Sequence, residues 1–259
     1  MSVFSRDLSL EVIDRLQAAG CVAAEEEADE LLSTVPDLTT LEEWVARREQ
    51  GEPLEWVVGR VSFCGQTLHI SPGVFVPRPQ SEELARRAAR LLPAGGSAAD
   101  LCTGCGAIAA HLGAAVPGAK VVGTELHPDA AACAGRNAVA VVLCDLGSAL
   151  RAGRFDVVTA VSPYVPTGSL QFLPGDVQRY EPRLALDGGA DGLTVVQRVI
   201  EESRRLLRGG GWLLCEIGGG QAPAVEGLLE RAGFERPQFW RDDDGDLRGF
   251  ASQRPSATG

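Results

Sequence analysis

The chain has 259 residues, enough for one large domain or for an ordinary domain carrying a smaller one. Apolar residues make up 45% and charged residues 23%, a globular balance that sets aside a disordered or fibrous chain. The net charge of −11 argues against a broad nucleic-acid surface, although a local basic cleft stays open, and the lack of any run of eighteen apolar residues argues against a membrane-spanning helix.

Ten of the eleven net negative charges fall in residues 1–55, so the composition break near residue 55 marks a candidate domain boundary. Within that stretch Leu8, Val12 and Leu16, then Leu31 and Leu32, then Leu41, Trp44 and Val45 recur at helical spacing. Short helices are expected, the third capped by Thr39 or Thr40 with Glu42 and Glu43 in its first turn. The acidic run Glu25, Glu26, Glu27, Asp29 and Glu30 reads as a solvated helix face or as a surface for an electropositive partner. This acidic unit is also a candidate surface for pairing with a second copy in a homodimer. Met1 to Leu10 holds no apolar signal core, and the seven cysteines are odd in number and scattered. Reduced thiols and a cytoplasmic location are therefore expected.

Residues 56–70 are β-prone around a glycine and predict a hairpin, and Ser71 to Gln80, with three prolines, predicts an extended connector. A helix is predicted from Ser81, with Glu82 and Glu83 in its first turn. From residue 97 strands and helices alternate: strands at 97–101, 120–125, 139–144, 155–161 and 211–217, and helices at 106–116, 128–137, 191–207 and 221–232. Two short strands close the chain. Such alternation implies an α/β fold with a doubly wound, mostly parallel sheet.

The sharpest local feature is Asp100-Leu101-Cys102-Thr103-Gly104-Cys105-Gly106, a strand running into G-x-G before a helix. Small residues at such a turn let backbone approach a ligand. Cys102 and Ala109 stand where a dinucleotide fingerprint has its outer glycines, which favours an adenosyl ligand without a pyrophosphate. Cys102 and Cys105 form a C-x-x-C with no second pair or neighbouring histidine, so small side chains in a turn, and no metal site, are expected. Glu125 ends the next strand, where an acid accepts hydrogen bonds from ribose hydroxyls. Asp145 ends the third, in reach of an adenine amino group, or else caps its turn.

With these elements in place the sequence resembles the class I methyltransferases, and more closely the release-factor glutamine methyltransferase family. The resemblance runs through Glu52-Pro53-Leu54, Val76-Pro77-Arg78-Pro79-Gln80-Ser81-Glu82, the Asp100–Ala109 loop and Arg136-Asn137. It continues through Tyr180 to Leu186, Asp187 to Leu193 and Gly210 to Gly218. It implies a Rossmann-like methyltransferase domain (81–259) with a small N-terminal helical substrate-recognition domain (1–55), joined by a β-hairpin and connector (56–80). It implies S-adenosylmethionine as cofactor, held by Asp100, Cys102, Thr103, Gly104, Gly106, Ile108, Glu125, Leu126, Asp145, Leu146 and Val161. Arg78, Pro79, Tyr164 and Glu181 become candidate acceptor-binding residues, and Val161, Ser162, Pro163 and Tyr164 the candidate catalytic segment.

The departure from the family lies in that segment. The family carries Asn-Pro-Pro-Tyr, and this chain reads Val161-Ser162-Pro163-Tyr164. An amide nitrogen is a poor nucleophile because its lone pair is delocalised, and the family's Asn oxygen and the next backbone carbonyl are thought to hold its hydrogens. Val161 offers no polar side-chain atom. The expectation is therefore a methyltransferase turned to another N- or O-nucleophile, a small molecule or a peptide, with Tyr164 stacking or donating a hydrogen bond and His127 as a candidate base. Release-factor glutamine methylation and a non-catalytic cofactor-binding regulator are the alternatives. A nucleic-acid amino-group acceptor fits poorly with the near-neutral catalytic half. The connection between Asn137 and Asp145 is also shorter than the family usually has, which predicts a short or shifted third strand.

Overall fold

The computed structural model describes residues 5–256; Met1 to Phe4 of the stretch read for a signal core lie outside the described residues. Four helices lead the chain: α1 (Arg6–Ala18), α2 (Ala24–Thr34), α3 (Leu38–Glu49) and α4 (Leu54–Val58). Val12, Leu16, Leu31, Leu32, Leu41 and Val45 close into one apolar cluster, joined by Val57 of α4. The cap of α3 is Asp37, whose carboxylate accepts the Thr40 N–H at 2.8 Å, and not Thr39 or Thr40. An Asp three residues upstream reaches that amide, while both threonines lie inside the helix. The acidic run is partly spent on ion pairs: Glu27 pairs with Arg48 inside this unit at 2.6 Å, and Glu30 with Arg60 of the following hairpin at 2.8 Å.

The hairpin is shorter than its β-branched composition predicts. Trp56 to Val58 belong to α4, opened by Pro53 and closed by Gly59 at φ 74°, and the strands are β1 (Arg60–Phe63) and β2 (Gln66–His69). Packing overrides propensity there: Val57 is buried in the helical cluster, and the Trp56 indole donates to the Val74 carbonyl at 2.9 Å. Helix α5 (Ser81–Leu91) follows the connector as predicted.

The remaining elements are β3 (Ser97–Leu101), α6 (Ala107–Ala115), β4 (Lys120–Glu125), α7 (Pro128–Arg136), β5 (Val141–Leu143), β6 (Phe155–Ala160), α8 (Gly175–Tyr180), α9 (Thr194–Leu206), β7 (Leu207–Glu216), α10 (Ala222–Arg231), β8 (Gln238–Arg241) and β9 (Leu247–Gln253). They build a seven-stranded sheet of order β5-β4-β3-β6-β7-β9-β8, parallel from β5 to β7, with β9 antiparallel to β7 and β8 antiparallel to β9. The third strand is indeed short, and β7 starts four residues before Gly211 because Leu207 already pairs with Phe155 ahead of a register shift.

The period-two alternation of the strands divides the core. Ala98, Val157 and Leu214 face α5, α6 and the hairpin, while Ala99, Val158 and Leu213 face α9 and α10. Strand order reverses between β3 and β6, which opens a crevice beyond their carboxyl ends, the place where open α/β sheets take ligands. Among the described residues no helix is long and apolar enough to cross a membrane.

Candidate active site

A cavity of about 210 Å³ lies at that strand reversal. Its floor is the loop after β3. Cys102, Gly104 and Gly106 take φ of 55°, 58° and 85°, so three left-handed residues in five coil the backbone back on itself. Cys102 bears a side chain in a conformation that costs roughly 1–2 kcal/mol per residue. Space above Gly104 is open for 4 Å where a Cβ would stand, whereas Gly106 is packed against Ala134 and Val139. The first glycine leaves room for a ligand and the second leaves room for protein.

Glu125 locks this loop. Its carboxylate accepts the Gly104 N–H at 2.9 Å, the Leu126 N–H at 2.8 Å and the His127 N–H at 3.0 Å. Asn137 ties the loop to the hairpin by donating to the carbonyls of Cys105 at 2.8 Å and His69 at 2.9 Å. Asp145 extends to Arg198 of α9 at 2.7 Å, an exposed pair at the cavity edge. Both thiols of the C-x-x-C are pushed up by burial, Cys105 to about 12, so neither is a thiolate; among the described residues no metal-binding cluster forms.

Asp100 sits beneath the loop, 2% exposed, and accepts the hydroxyls of Thr103 at 2.6 Å and Thr159 at 2.7 Å. Burial pushes its carboxyl from 3.8 up to about 6, against the pull of the two hydroxyls. A raised carboxyl binds its proton more tightly in the folded chain than in the unfolded one. Its contribution to stability is therefore full below the unfolded value and is lost as pH rises through about 6. Asp100→Asn is expected to remove this fall, worth no more than about 3 kcal/mol at 1.36 kcal/mol per pH unit. Urea titrations of both proteins between pH 4 and 7 check it, and parallel profiles would remove Asp100 as the source.

Of the residues singled out in the sequence, Asp100, Cys102, Thr103, Gly104, Ile108, Glu125, Leu126, Asp145, Leu146, Val161 and Pro163 line this one cavity. Gly106 packs below it. Ser162 is buried, its hydroxyl without a hydrogen-bond partner. The Tyr164 hydroxyl does not point to the cavity but donates to Glu216 at 2.8 Å. Arg78 and Glu181 bind one another, with the guanidinium stacked 4.9 Å above the Phe75 ring that lines the mouth. Burial pushes the Glu181 carboxyl up, and its second oxygen has no partner. Pro79 is exposed next to this pair. His127 lies at the rim; His69 bonds Ser71 at 2.9 Å and His111 is half-buried on α6.

Sequence reasoning missed Arg198 and the Pro182–Asp187 stretch of the mouth, as well as Ser81 and Glu216. Only Glu216 carried a readable signal, an acid ending a buried strand. The Val161–Tyr164 segment is held from behind by two glycines. A Cβ on Gly188 would come within 2.8 Å of the Pro163 carbonyl oxygen, and one on Gly192 within 2.2 Å of that of Tyr164.

No family model matches the chain. Among curated proteins it is 36% identical over 273 residues to the release factor glutamine methyltransferase of Moorella thermoacetica, covering 94% of this chain and 96% of the relative. The protein of the same name from Geobacter sulfurreducens is 40% identical over 196 residues, covering 73% of this chain and 69% of that one. Among solved structures, a methyltransferase from Pyrococcus furiosus superposes with a TM-score of 0.55 at 18% identity, over 75% of this chain and 91% of that one. A 16S rRNA methyltransferase from T. thermophilus, solved with AdoMet and guanosine, gives 0.53 at 20% identity, over 77% of this chain and 45% of that one. The solved structures support the Rossmann-like methyltransferase fold, and the curated relatives show that this chain belongs to the release factor glutamine methyltransferase family.

Proposed function

We propose that this methyltransferase transfers the methyl group of S-adenosylmethionine to a glutamine side-chain amide of a release factor, the acceptor named for its relatives. The relatives' names favour this protein acceptor over the small molecule that Val161 alone suggests. The observation that carries the reading is the joining of two walls in one cavity. The glycine loop, Glu125 and Asp145 form one wall, and Val161, Pro163 and Pro182–Asp187 the other.

The residues fit the cofactor. The space above Gly104 admits a ligand that a side chain would fill, and two strand-end carboxylates, Glu125 and Asp145, line the same cavity as acceptors for hydroxyl and amino groups. Oε1 of Glu125 accepts two backbone N–H groups and Oε2 only one, so Oε2 keeps a lone pair for a ribose hydroxyl. Asp145 would hold the adenine amino group, and Ile108, Leu126 and Leu146, which line the same cavity, would supply apolar contact. When bound, S-adenosylmethionine supplies a methyl group on a positively charged sulfur, open to attack by a nucleophile. The chain's own work is positioning: backbone carbonyls after β6 orient the acceptor, and the mouth excludes water.

In this reading residues 1–55 recognise the protein substrate, 56–80 join them to the catalytic domain, and 81–259 hold the cofactor. In support, the Tyr180 hydroxyl donates to the Gln50 carbonyl at 2.9 Å, and its ring meets Trp56 edge-on at 6.4 Å. That contact anchors the helical unit to the stretch leading into Glu181. Arg78, Pro79 and Glu181 then border the acceptor's approach.

Val161 favours a second reading, an acceptor with a free lone pair such as an amine, hydroxylamine or carboxylate, which needs positioning alone. Incubation with S-adenosylmethionine and a release factor, followed by peptide mass spectrometry, separates the two. A methylated glutamine supports the first. A bound cofactor with an unmethylated release factor and a methylated small amine would replace it with the second.

The donor side has its own test. Glu125→Ala removes the acid from the loop and is expected to weaken S-adenosylmethionine binding by at least about 1.5 kcal/mol, on the order of tenfold in Kd. Unchanged affinity in calorimetry would take Glu125 out of the site.

A further inference from the structure

Glu216 ends β7 with its side chain 4% exposed in the gap between α5 and the segment after β6. One carboxylate oxygen accepts the Ser81 hydroxyl at 2.6 Å and the other accepts the Tyr164 hydroxyl at 2.8 Å. Ser81 lines the cavity, and so does Pro163, the neighbour of Tyr164. A buried carboxyl is an expensive way to fill this gap: apolar side chains of similar volume usually stabilise a core as well or better. The network therefore calls for a reason beyond stability.

Its surroundings supply one. Gly192 and the Gln221 amide, 2.9 Å away, hold the Tyr164 carbonyl, and Gly188 packs on that of Pro163. These contacts grip the backbone from one side. Across the ring, only the bond to Glu216 ties the Tyr164 hydroxyl to the rest of the protein among the described residues.

We infer that Glu216 is a positioning residue for methyl transfer, clamping Ser81 and Tyr164 on opposite sides so that the backbone of Val161–Pro163 is held where the acceptor must lie. This deepens the reading of the site given above and rests on it. Glu216 touches neither cofactor nor acceptor; it acts through Tyr164. With Val161 lacking a polar atom, the backbone after β6 carries more of the orienting work here than an Asn-bearing segment would require. The charged groups whose fields reach the pair are Arg78 and Arg248, and burial beside Glu216 raises the Tyr164 phenol.

Two measurements test the clamp. The first replaces the whole network with apolar groups in Ser81→Ala, Tyr164→Phe, Glu216→Leu. The triple variant is expected to melt no lower than the native chain and to bind S-adenosylhomocysteine equally well. Its kcat on the release factor is expected to fall at least about tenfold, the factor that 1.4 kcal/mol supplies, with KM little changed. Glu216→Gln, which keeps one acceptor and gains a donor, is expected to restore part of that loss. A triple variant with native kcat would reduce the network to core packing and overturn the inference.

The second measurement needs no turnover. The chain has two tyrosines, so 3-fluorotyrosine in a Tyr180→Phe background reports Tyr164 alone by fluorine NMR. Glu216→Gln is expected to move that resonance at neutral pH, where the phenol stays protonated, as its hydroxyl loses a carboxylate partner. An identical resonance with and without Glu216→Gln would overturn the clamp. If the release factor takes no methyl, the acceptor reading falls, while the fluorine signal still decides whether Glu216 holds Tyr164.

Discussion

Val161→Asn is expected to raise the rate of glutamine methylation by about a hundred- to a thousand-fold, the effect of one preorganised polar contact to a reacting group, roughly 2.7–4 kcal/mol. Val161 follows the last residue of β6, lines the cavity and is only partly buried, so an amide side chain has both room and a destination there. Its oxygen would accept one hydrogen of the substrate amide, turn the nitrogen lone pair toward the methyl group and take up the positive charge that develops on nitrogen. The gain belongs in kcat, because the contact strengthens as charge develops. Single-turnover kinetics on a release-factor peptide, native chain against variant, measure it. An equal rate in both would mean that position 161 does not face the acceptor nitrogen. A rise confined to the amide substrate, with small amines unaffected, would show that the native chain is handicapped for amides in particular.

What could be read beforehand depended on how local the cause was. Strands β3 and β4 fall on their predicted bounds because each is a short run of small and β-branched residues between turn residues, β3 buried on both faces and β4 buried toward its carboxyl end. The cavity floor was legible for the same reason: Gly104, Glu125 and Asp145 follow one another at successive strand ends, and the sheet order brings those ends together. Trp56 to Val58 misled because their β-branched character was set against a proline opener, a glycine stop and a neighbouring helical cluster, none visible as periodicity. The Tyr164 hydroxyl misled more deeply. Its partner Glu216 is 52 residues away and the third member, Ser81, lies 135 residues from Glu216. Nothing in either motif announces that the two face one another beyond the carboxyl ends of β6 and β7. The pairing of Arg78 with Glu181 over 103 residues is of the same kind. Sequence named only part of the mouth, missing Arg198 and Pro182–Asp187, and which residues face the cavity and which face each other is a property of the packed chain.

The glycine loop makes a quantitative demand that single substitutions expose. Gly106→Ala is expected to cost about 2–5 kcal/mol of folding stability, the sum of about 1–2 kcal/mol for a left-handed alanine and about 1–3 kcal/mol for overpacking. Gly106 caps α6 at φ 85°, and an added Cβ would lie 2.8 Å from the Val139 Cγ2 and 3.2 Å from the Ala134 Cβ. Val139 follows the left-handed Ala138 in the tight link between α7 and β5, so it has little freedom to withdraw. The two costs separate in a double-mutant cycle. Val139→Ala removes the nearest obstructing methyl group, so Gly106→Ala made in that background should cost less, keeping the conformational part and the milder contact with the Ala134 Cβ. Urea denaturation of the four proteins gives the coupling directly. If Gly106→Ala costs the same in both backgrounds, the contact with Val139 is not what requires glycine, and the left-handed turn with the Ala134 contact does. If the coupling appears, the shortened α7–β5 link explains why the loop at the cavity floor tolerates a cysteine at residue 102 but not a side chain at residue 106. Cys102 lines the cavity and packs on the apolar cluster beside it, whereas at residue 106 the link has already filled the space.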